Sequence, residues 1–397
     1  MSRNLFRSRR RTFARLSIPF LLACMMLIAT VSAASAKTND AVDGQPMDWH
    51  PASQVSQSLI QNSEPAPSTT SGTQPAATAK AATTSSGKHQ IATIPFWTSS
   101  FSYQGQDYPY SMVGKDPTKG SSLSVVPTIL IPMKLTLSDG TVYDGSTKAD
   151  AVIKSPIFQF AKYESGYTQY GDAIQRAEFW NSVSTKSPLY HVWLAPPVRY
   201  PTLSLNVPAD QGKELTTRTG KVVAGVDINY IDVQLVAYMQ KYHISTRVLP
   251  IFLSYNTMGT DQGGCCIGGY HNAIPNADNT AIQTYAYAEY GDTGLLRSTN
   301  PNLFANTDAL SHEISEWYND PFTNNIVPNW SVPSEPQYGC SNILEVGDPL
   351  VGVGFDVNGY HLQDEVFFSF FARQQPSIGI DGKYTYLGTF TTPAGDC

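Results

Sequence analysis

Apolar and polar residues alternate from Ile129 to Leu137. Ile129, Ile131, Met133, Leu135 and Leu137 therefore share one face of a strand, and Ser138-Asp139-Gly140-Thr141 supplies the turn after it. Asp172 to Trp180 reads as a short helix. Between Ile231 and Tyr242 the apolar positions Val233, Val236, Met239 and Tyr242 recur every third residue, with Leu235 beside them, which predicts a longer helix. Arg247 to Tyr255 is a nearly continuous apolar run, as expected of a buried strand, and Gly263 to Gly269 reads as a glycine-rich, cysteine-bearing loop. The first half is β-rich and no internal repeat is present.

Residues 306–321 carry a third helix. Thr307 or Asp308 can cap its N-terminus and Pro321 stops it. At about 100° per residue, Leu310, Ile314, Trp317 and Tyr318 fall on one apolar face, while His312, Glu316, Asp320 and Glu313 form an adjacent polar stripe.

The amphipathic pattern disappears at the N-terminus. Arg3, Arg7, Arg9, Arg10, Arg11 and Arg15 precede an apolar run from Leu16 to Val31 and the small residues Ala34-Ser35-Ala36. This order is that of a secretory signal peptide over residues 1–36, and Arg10-Arg11-Thr12-Phe13 also fits a loose twin-arginine pattern. Leu21-Leu22-Ala23-Cys24 resembles a lipoprotein box, but the apolar Met25-Met26-Leu27-Ile28 that follows argues against it. The run is shorter than the ~20 residues a spanning helix needs, so no membrane span is expected after cleavage. The chain is expected to be secreted, extracellular or periplasmic.

Residues 37–88 are rich in Ser, Thr, Ala, Pro and Gln. That composition offers too little apolar surface to offset the entropy of ordering, so a disordered linker or pro-segment is expected there, followed by one folded domain over 89–397. Export also bears on the cysteines. With Cys24 removed, Cys265, Cys266, Cys340 and Cys397 remain, and an oxidising compartment favours disulfides over metal thiolates. Adjacent Cys265 and Cys266 are expected to reach separately to Cys340 and Cys397.

The chain has 26 basic and 32 acidic residues, a net charge of −6. Six of the basic ones lie in the first 36 residues. An acidic folded part excludes a nucleic-acid backbone as partner. The acidity is local: no Lys or Arg occurs from Ser298 to Ala372, a stretch holding Asp308, Glu313, Glu316, Asp320, Glu335, Glu345, Asp348, Asp356, Asp364 and Glu365. Buried carboxylates without basic partners must neutralise or hold a cation. A solvated acidic face would carry the same residues without one.

The spacing His312-Glu313-Ile314-Ser315-Glu316 places His312 and Glu316 at i and i+4, as in H-E-x-x-H metal sites, with a carboxylate as the second ligand. Glu313 then stands where the general base stands in such sites. Glu345, Asp348 and His271 are the candidates for a third ligand, in that order, with Asp320 as the local option. Zn²⁺ suits this set, and Ca²⁺ is an alternative because all the donors except the imidazoles are oxygens.

These residues carry a resemblance. His312-Glu313-Ile314-Ser315-Glu316 with Asp320-Pro321, then Glu345-Val346-Gly347-Asp348, looks like the plant EXORDIUM (phosphate-induced) proteins and related bacterial secreted proteins, which carry an H-E-L-x-E helix, a T-N-P or T-D-P ending and an E-I-G-D segment. Tyr270-His271 and Tyr360-His361-Leu362-Gln363 fit as well. The resemblance covers residues 247–372, at the level of motifs, and Trp317-Tyr318 are bulkier than the family's residues there. It implies a zincin-like helix; peptidase activity is what the motif itself implies.

Other constellations point elsewhere. Asp292-Thr293-Gly294 spells the aspartic-protease triplet, but no second copy exists and a turn explains it. Cys266 near His271 suggests a thiol enzyme only if the cysteines are unpaired. His191, His243 and His361 read as hydrogen-bonded core or surface residues. The expectation is an α+β, zincin-like domain with a mixed β-sheet and an active-site helix, preceded by a disordered linker, acting as a metal-dependent peptidase on a peptide or protein. The alternative is a non-catalytic, EXORDIUM-like secreted cell-surface or matrix protein, its aromatics binding cell-wall polysaccharide.

Overall fold

The computed structural model describes residues 41–42, 46–47, 49–67, 88–295 and 301–397. The expected signal peptide, Cys24 and the linker residues 68–87 lie outside them. Along the chain, the elements that position the site begin with α1 (Gln57–Gln61), β1 (Phe96–Tyr103), β2 (Gln106–Val113) and β3 (Thr128–Thr136). There follow α2 (Tyr170–Glu178), β4 (Gly212–Thr217), β5 (Val222–Asp227), α3 (Ile228–Lys241) and β6 (Leu249–Tyr255). The last group is β7 (Thr257–Asp261), β8 (Gly264–Ile267), β9 (Gly269–Pro275), β10 (Ile282–Tyr290), α4 (Asp308–Asn319), β11 (Gly354–Val357) and β12 (Tyr360–Gln363). The described residues thus form a mixed α+β fold.

The principal sheet runs β3-β6-β10-β9. The first three strands are parallel and β9 is antiparallel to β10. β6 is buried along nearly its whole length (Leu-Pro-Ile-Phe-Leu-Ser), which is why its sequence is a continuous apolar run rather than an alternation. β3 is likewise covered on both faces: Ile129, Ile131, Met133 and Leu135 face the same core as α3, and Leu130 faces the core of α4. A second sheet, β4-β5-β7-β8, stands beside it, with Ala41–Val42 pairing in parallel with β4.

The glycine-rich segment expected as a loop is instead two strands, β8 and β9. Glycine here serves close packing: a Cβ on Gly268 would lie 2.6 Å from Phe304 and one on Gly269 2.7 Å from Glu313. The cysteine pairing also differs from expectation. Cys265 pairs with Cys266, and Cys340 with Cys397, whose Cα atoms are 5.9 Å apart. β8 is held in a hairpin against β7. The C-terminus returns to Cys340, held by Arg373, which binds the carbonyl oxygens of Asn329 and Gly395 and the Asp396 carboxylate.

Part of the stretch read as a disordered linker is folded. Residues 57–61 form α1, capped by Ser56, whose Oγ accepts from Leu59 N, and Ser63–Pro65 pairs in parallel with His89–Ile91. The cause is two apolar residues in the polar composition: Val55 and Ile60 pack with Ile91, Phe96, Ala273, Ile282 and Phe322 in a small separate core. No helix among the described residues is long and apolar enough to cross a membrane.

Candidate metal centre

α4 lies across β9 and β10. Its expected apolar face is the packing face: Leu310, Ile314, Trp317 and Tyr318 are all at most 1% exposed. Gly171 in α2 lets Tyr318 and Ile314 approach, since a Cβ there would stand 2.9 Å from the Tyr318 ring. Thr307 is the N-cap residue, as expected, but its side chain makes no cap hydrogen bond. Thr307 donates its hydroxyl to the His361 carbonyl oxygen, and Asp308 accepts from Phe304 N. The helix ends at Asn319. Asp320 then accepts from Asn324 N and Asn325 N at 3.0 and 2.9 Å, so its carboxylate fixes the following turn and takes no place among the candidate ligands.

The polar stripe is not solvated. Glu313 and Glu316 are buried, and His312 is largely so. Two imidazoles meet these carboxylates, each held by a partner on its far side. On β9, His271 Nε2 is 3.0 Å from the carbonyl oxygen of Asp320. A carbonyl only accepts, so Nε2 carries a proton, and Nδ1 faces Glu313 Oε2 at 3.5 Å and Glu316 Oε2 at 3.7 Å. On α4, His312 is fixed through Gln363. The Gln363 amide donates to the Gly347 carbonyl oxygen at 2.6 Å, so its Oε1 accepts from His312 Nδ1 at 3.1 Å. His312 Nε2 therefore faces Glu316 Oε1 at 3.1 Å and Asp348 Oδ1 at 3.5 Å. Gly347 is required by this approach, because a Cβ on it would lie 2.5 Å from His312 Nδ1.

The result is two converging groups of donors, His312-Glu316-Asp348 and His271-Glu313-Glu316, that share Glu316. A tetrahedral zinc with Zn–N and Zn–O near 2.05 Å separates its ligand atoms by about 3.3 Å, close to the distances of 3.1 and 3.5 Å from His312 Nε2 to the Glu316 and Asp348 oxygens. Outer hydrogen bonds from ligand imidazoles to a carbonyl and an amide oxygen are what metal-binding histidines ordinarily have.

The electrostatics ask for positive charge here. Burial works against a charged His312, but Glu316, and then Glu313 and Asp348, outweigh it and carry its pKa well above the ordinary imidazole value. His271 is raised likewise: its burial is outweighed by Glu313 and Glu316. Burial pushes Glu316 up, yet the two imidazoles prevail and hold it at about 2. Burial pushes Glu313 above the usual carboxylate range, with His271 and His312 opposing. Without a metal, the site holds its charge with protons on imidazoles.

Of the sequence-derived candidates, His312, Glu313, Glu316, Asp348 and His271 come together. Glu345, ranked first as third ligand, belongs to neither group. Its Oε1 is 3.3 Å from His50 Nδ1 and its Oε2 is buried without a partner. The three-residue step from Glu345 to Asp348, which opens a short 3₁₀ turn, brings the aspartate under His312 instead.

Sequence reading missed two residues. His50 sits in the presumed linker, where Trp49-His50 is an aromatic–imidazole pair in a run of small polar residues. Gln363 lies in the Tyr360-His361-Leu362-Gln363 segment, but nothing in its spacing ties it to His312. His191 and His361 are paired with Asp172 and Asp356, each at 2.8 Å, apart from the cluster. Cys266 lines the cleft but is bonded to Cys265, which removes it as a nucleophile. Asp292 accepts from Tyr255 and Asn256 in a turn, with Gly294 at φ +75°.

No family model matches the chain, and no curated protein or solved structure matches it.

Proposed function

We propose that this is a secreted, zincin-like metal-dependent hydrolase that cleaves peptide bonds, with His312, Glu316 and Asp348 as ligands of a zinc ion. The observation that carries the reading is His312: its Nδ1 proton is committed to Gln363, while Nε2 points between two buried carboxylate oxygens. That arrangement is satisfied by a cation. The imidazole nitrogen among the donors favours Zn²⁺ over Ca²⁺, which selects oxygens.

Zinc in such a site acidifies water and polarises a carbonyl. Glu313 neighbours the ligands without belonging to their group. Its pKa, raised by burial, suits it to take a proton from water and return it to a leaving amine. His271, with Nε2 anchored on the Asp320 carbonyl, orients Glu313 and supplies positive charge beside it. The glycines let α4, β9 and the 347 segment approach closely, and burial of the carboxylates strengthens each of these interactions.

The test is the zinc content of the purified protein together with its turnover of a broad peptide library. The wild type is expected to hold one zinc and His312→Ala almost none. Glu313→Gln is expected to keep the metal and lose roughly 10²–10⁴-fold in turnover. Equal, negligible zinc in wild type and His312→Ala would overturn the reading. Bound metal with no hydrolysis by any variant would favour the EXORDIUM-like, non-catalytic alternative.

A further inference from the structure

One of the carboxylates that the cation needs is already met by another part of the same chain. His50 reaches into the cluster from the N-terminal segment. Its Nδ1 is 3.3 Å from Glu345 Oε1 and its Nε2 3.3 Å from Asp348 Oδ2, the second oxygen of the carboxylate that meets His312. Trp49 stands edge-on to Tyr270, one residue before His271, with ring centroids 4.8 Å apart. Met47 N donates to the Cys266 carbonyl oxygen at 2.8 Å, and the Met47 side chain packs against Gly264. The segment thus lies along β8 and the start of β9, with a backbone hydrogen bond to a strand edge and side chains in the cleft. This is how an extended peptide adds to an exposed sheet edge.

Downstream, the segment is tied to the turn that closes the site helix. Ser53 Oγ donates to the Phe322 carbonyl oxygen, and Asn324 Nδ2 to that of Val55. The Gln57 amide reaches the carbonyl oxygens of Asn324 and Pro109. Ile60 is wholly buried in the small core. His50 is thereby presented to the acidic cluster from a fixed anchor.

We propose that Pro46–Gln61 is an intramolecular inhibitor: it occupies the peptide-binding cleft, and His50 holds Asp348 Oδ2, beside the oxygen that faces His312, until the segment is displaced. The inhibition rests on the hydrolase reading above, whereas the occupation of the cleft does not. It follows that the cleft accepts an extended polypeptide, with an aromatic side chain placed against Tyr270. The anchor at α1 keeps the inhibitor's local concentration high, so that each of its few contacts need only be weak.

The experiment uses the full chain, a Trp49→Ala/His50→Ala variant, and Gln57→Ala as a second variant that loosens the anchor without touching the cleft. A fluorescein-labelled synthetic peptide of residues 46–61 is titrated onto each, and peptide-library turnover is measured in parallel. The labelled peptide is expected to bind the double variant at least ten-fold more tightly than wild type, with Gln57→Ala in between. Turnover is expected to rise at least ten-fold in the same order. Equal affinity for all three proteins, or no binding to any, would overturn the occupation of the cleft. Tighter binding without a rise in turnover, in zinc-loaded protein that hydrolyses the library, would overturn the inhibition. Absence of both zinc and hydrolysis would refute the hydrolase reading and the inhibition with it, leaving the binding titration to decide the occupation alone.

Discussion

At the scale of single residues, the site depends on where protons sit. His271 and His312 each give one ring proton to a group that can only accept, so the opposite nitrogen of each is aimed at carboxylates. Gln363 does this for His312, and it is itself held by the Gly347 carbonyl oxygen. Gln363→Leu keeps the size and removes the acceptor. The loss should weaken zinc binding about 10–100-fold, the usual cost of an outer hydrogen-bond partner, and a competitive chelator titration would measure it. Since His312 is raised well above the ordinary imidazole value, a metal must displace its proton, and binding should strengthen as pH rises through that raised pKa. The H-E-x-x-E spacing was legible in the chain because i and i+4 always share a helix face. Gln363 was not, because its role depends on β12 running past the helix.

At the scale of elements, α4 and the strands it crosses approach more closely than ordinary side chains allow. Gly269 and Gly347 face Glu313 and His312 with no room for a methyl group. Gly347 has φ −86°, a conformation any residue adopts, so its requirement is one of space alone. Gly347→Ala should push His312 off Gln363 and Asp348 while leaving the chain folded. Zinc affinity should fall about ten-fold or more, with a change in melting temperature of only a few degrees, corresponding to roughly 1–2 kcal/mol. An equal zinc affinity in wild type and Gly347→Ala would show that the close approach is incidental. The helices and buried strands were readable from periodicity to within a few residues. The 263–269 segment was misread because glycine signals both a loop and a strand packed tightly against a neighbour, and sequence does not separate the two.

At the scale of the whole molecule, an acidic chain has buried many of its acids. Glu178, Glu289 and Glu365 are fully buried, and burial carries all three well above the usual carboxylate range. Neither Glu289 oxygen has a hydrogen-bond partner. Each group keeps its proton in the folded state at pH values where the unfolded chain has released it. The stability it contributes is therefore present below the ordinary Glu pKa of about 4.3 and is lost as pH rises through the higher folded value. Glu316, held at about 2, acts oppositely and costs stability only as pH falls towards that value. The metal-free protein should therefore melt at a higher temperature at pH 5 than at pH 8. Glu289→Gln should flatten that slope in a calorimetric series. A melting temperature that rises steadily from pH 5 to 8 in both proteins would contradict this.

The order of residues along the chain determined the helix α4, the i, i+4 spacing of His312 and Glu316 on it, its apolar face and the local excess of acid. All of these follow from short-range periodicity and composition, which need no knowledge of distant contacts. Tertiary structure settled the rest. It set Asp348 rather than Glu345 against His312 by a three-residue step at a 3₁₀ turn, paired Cys265 with Cys266 and Cys340 with Cys397, and placed Trp49 and His50 from an apparent linker in the cleft. In the last case composition misled for a simple reason: a segment too polar to fold alone needs only a few apolar anchors when a formed surface is there to receive them.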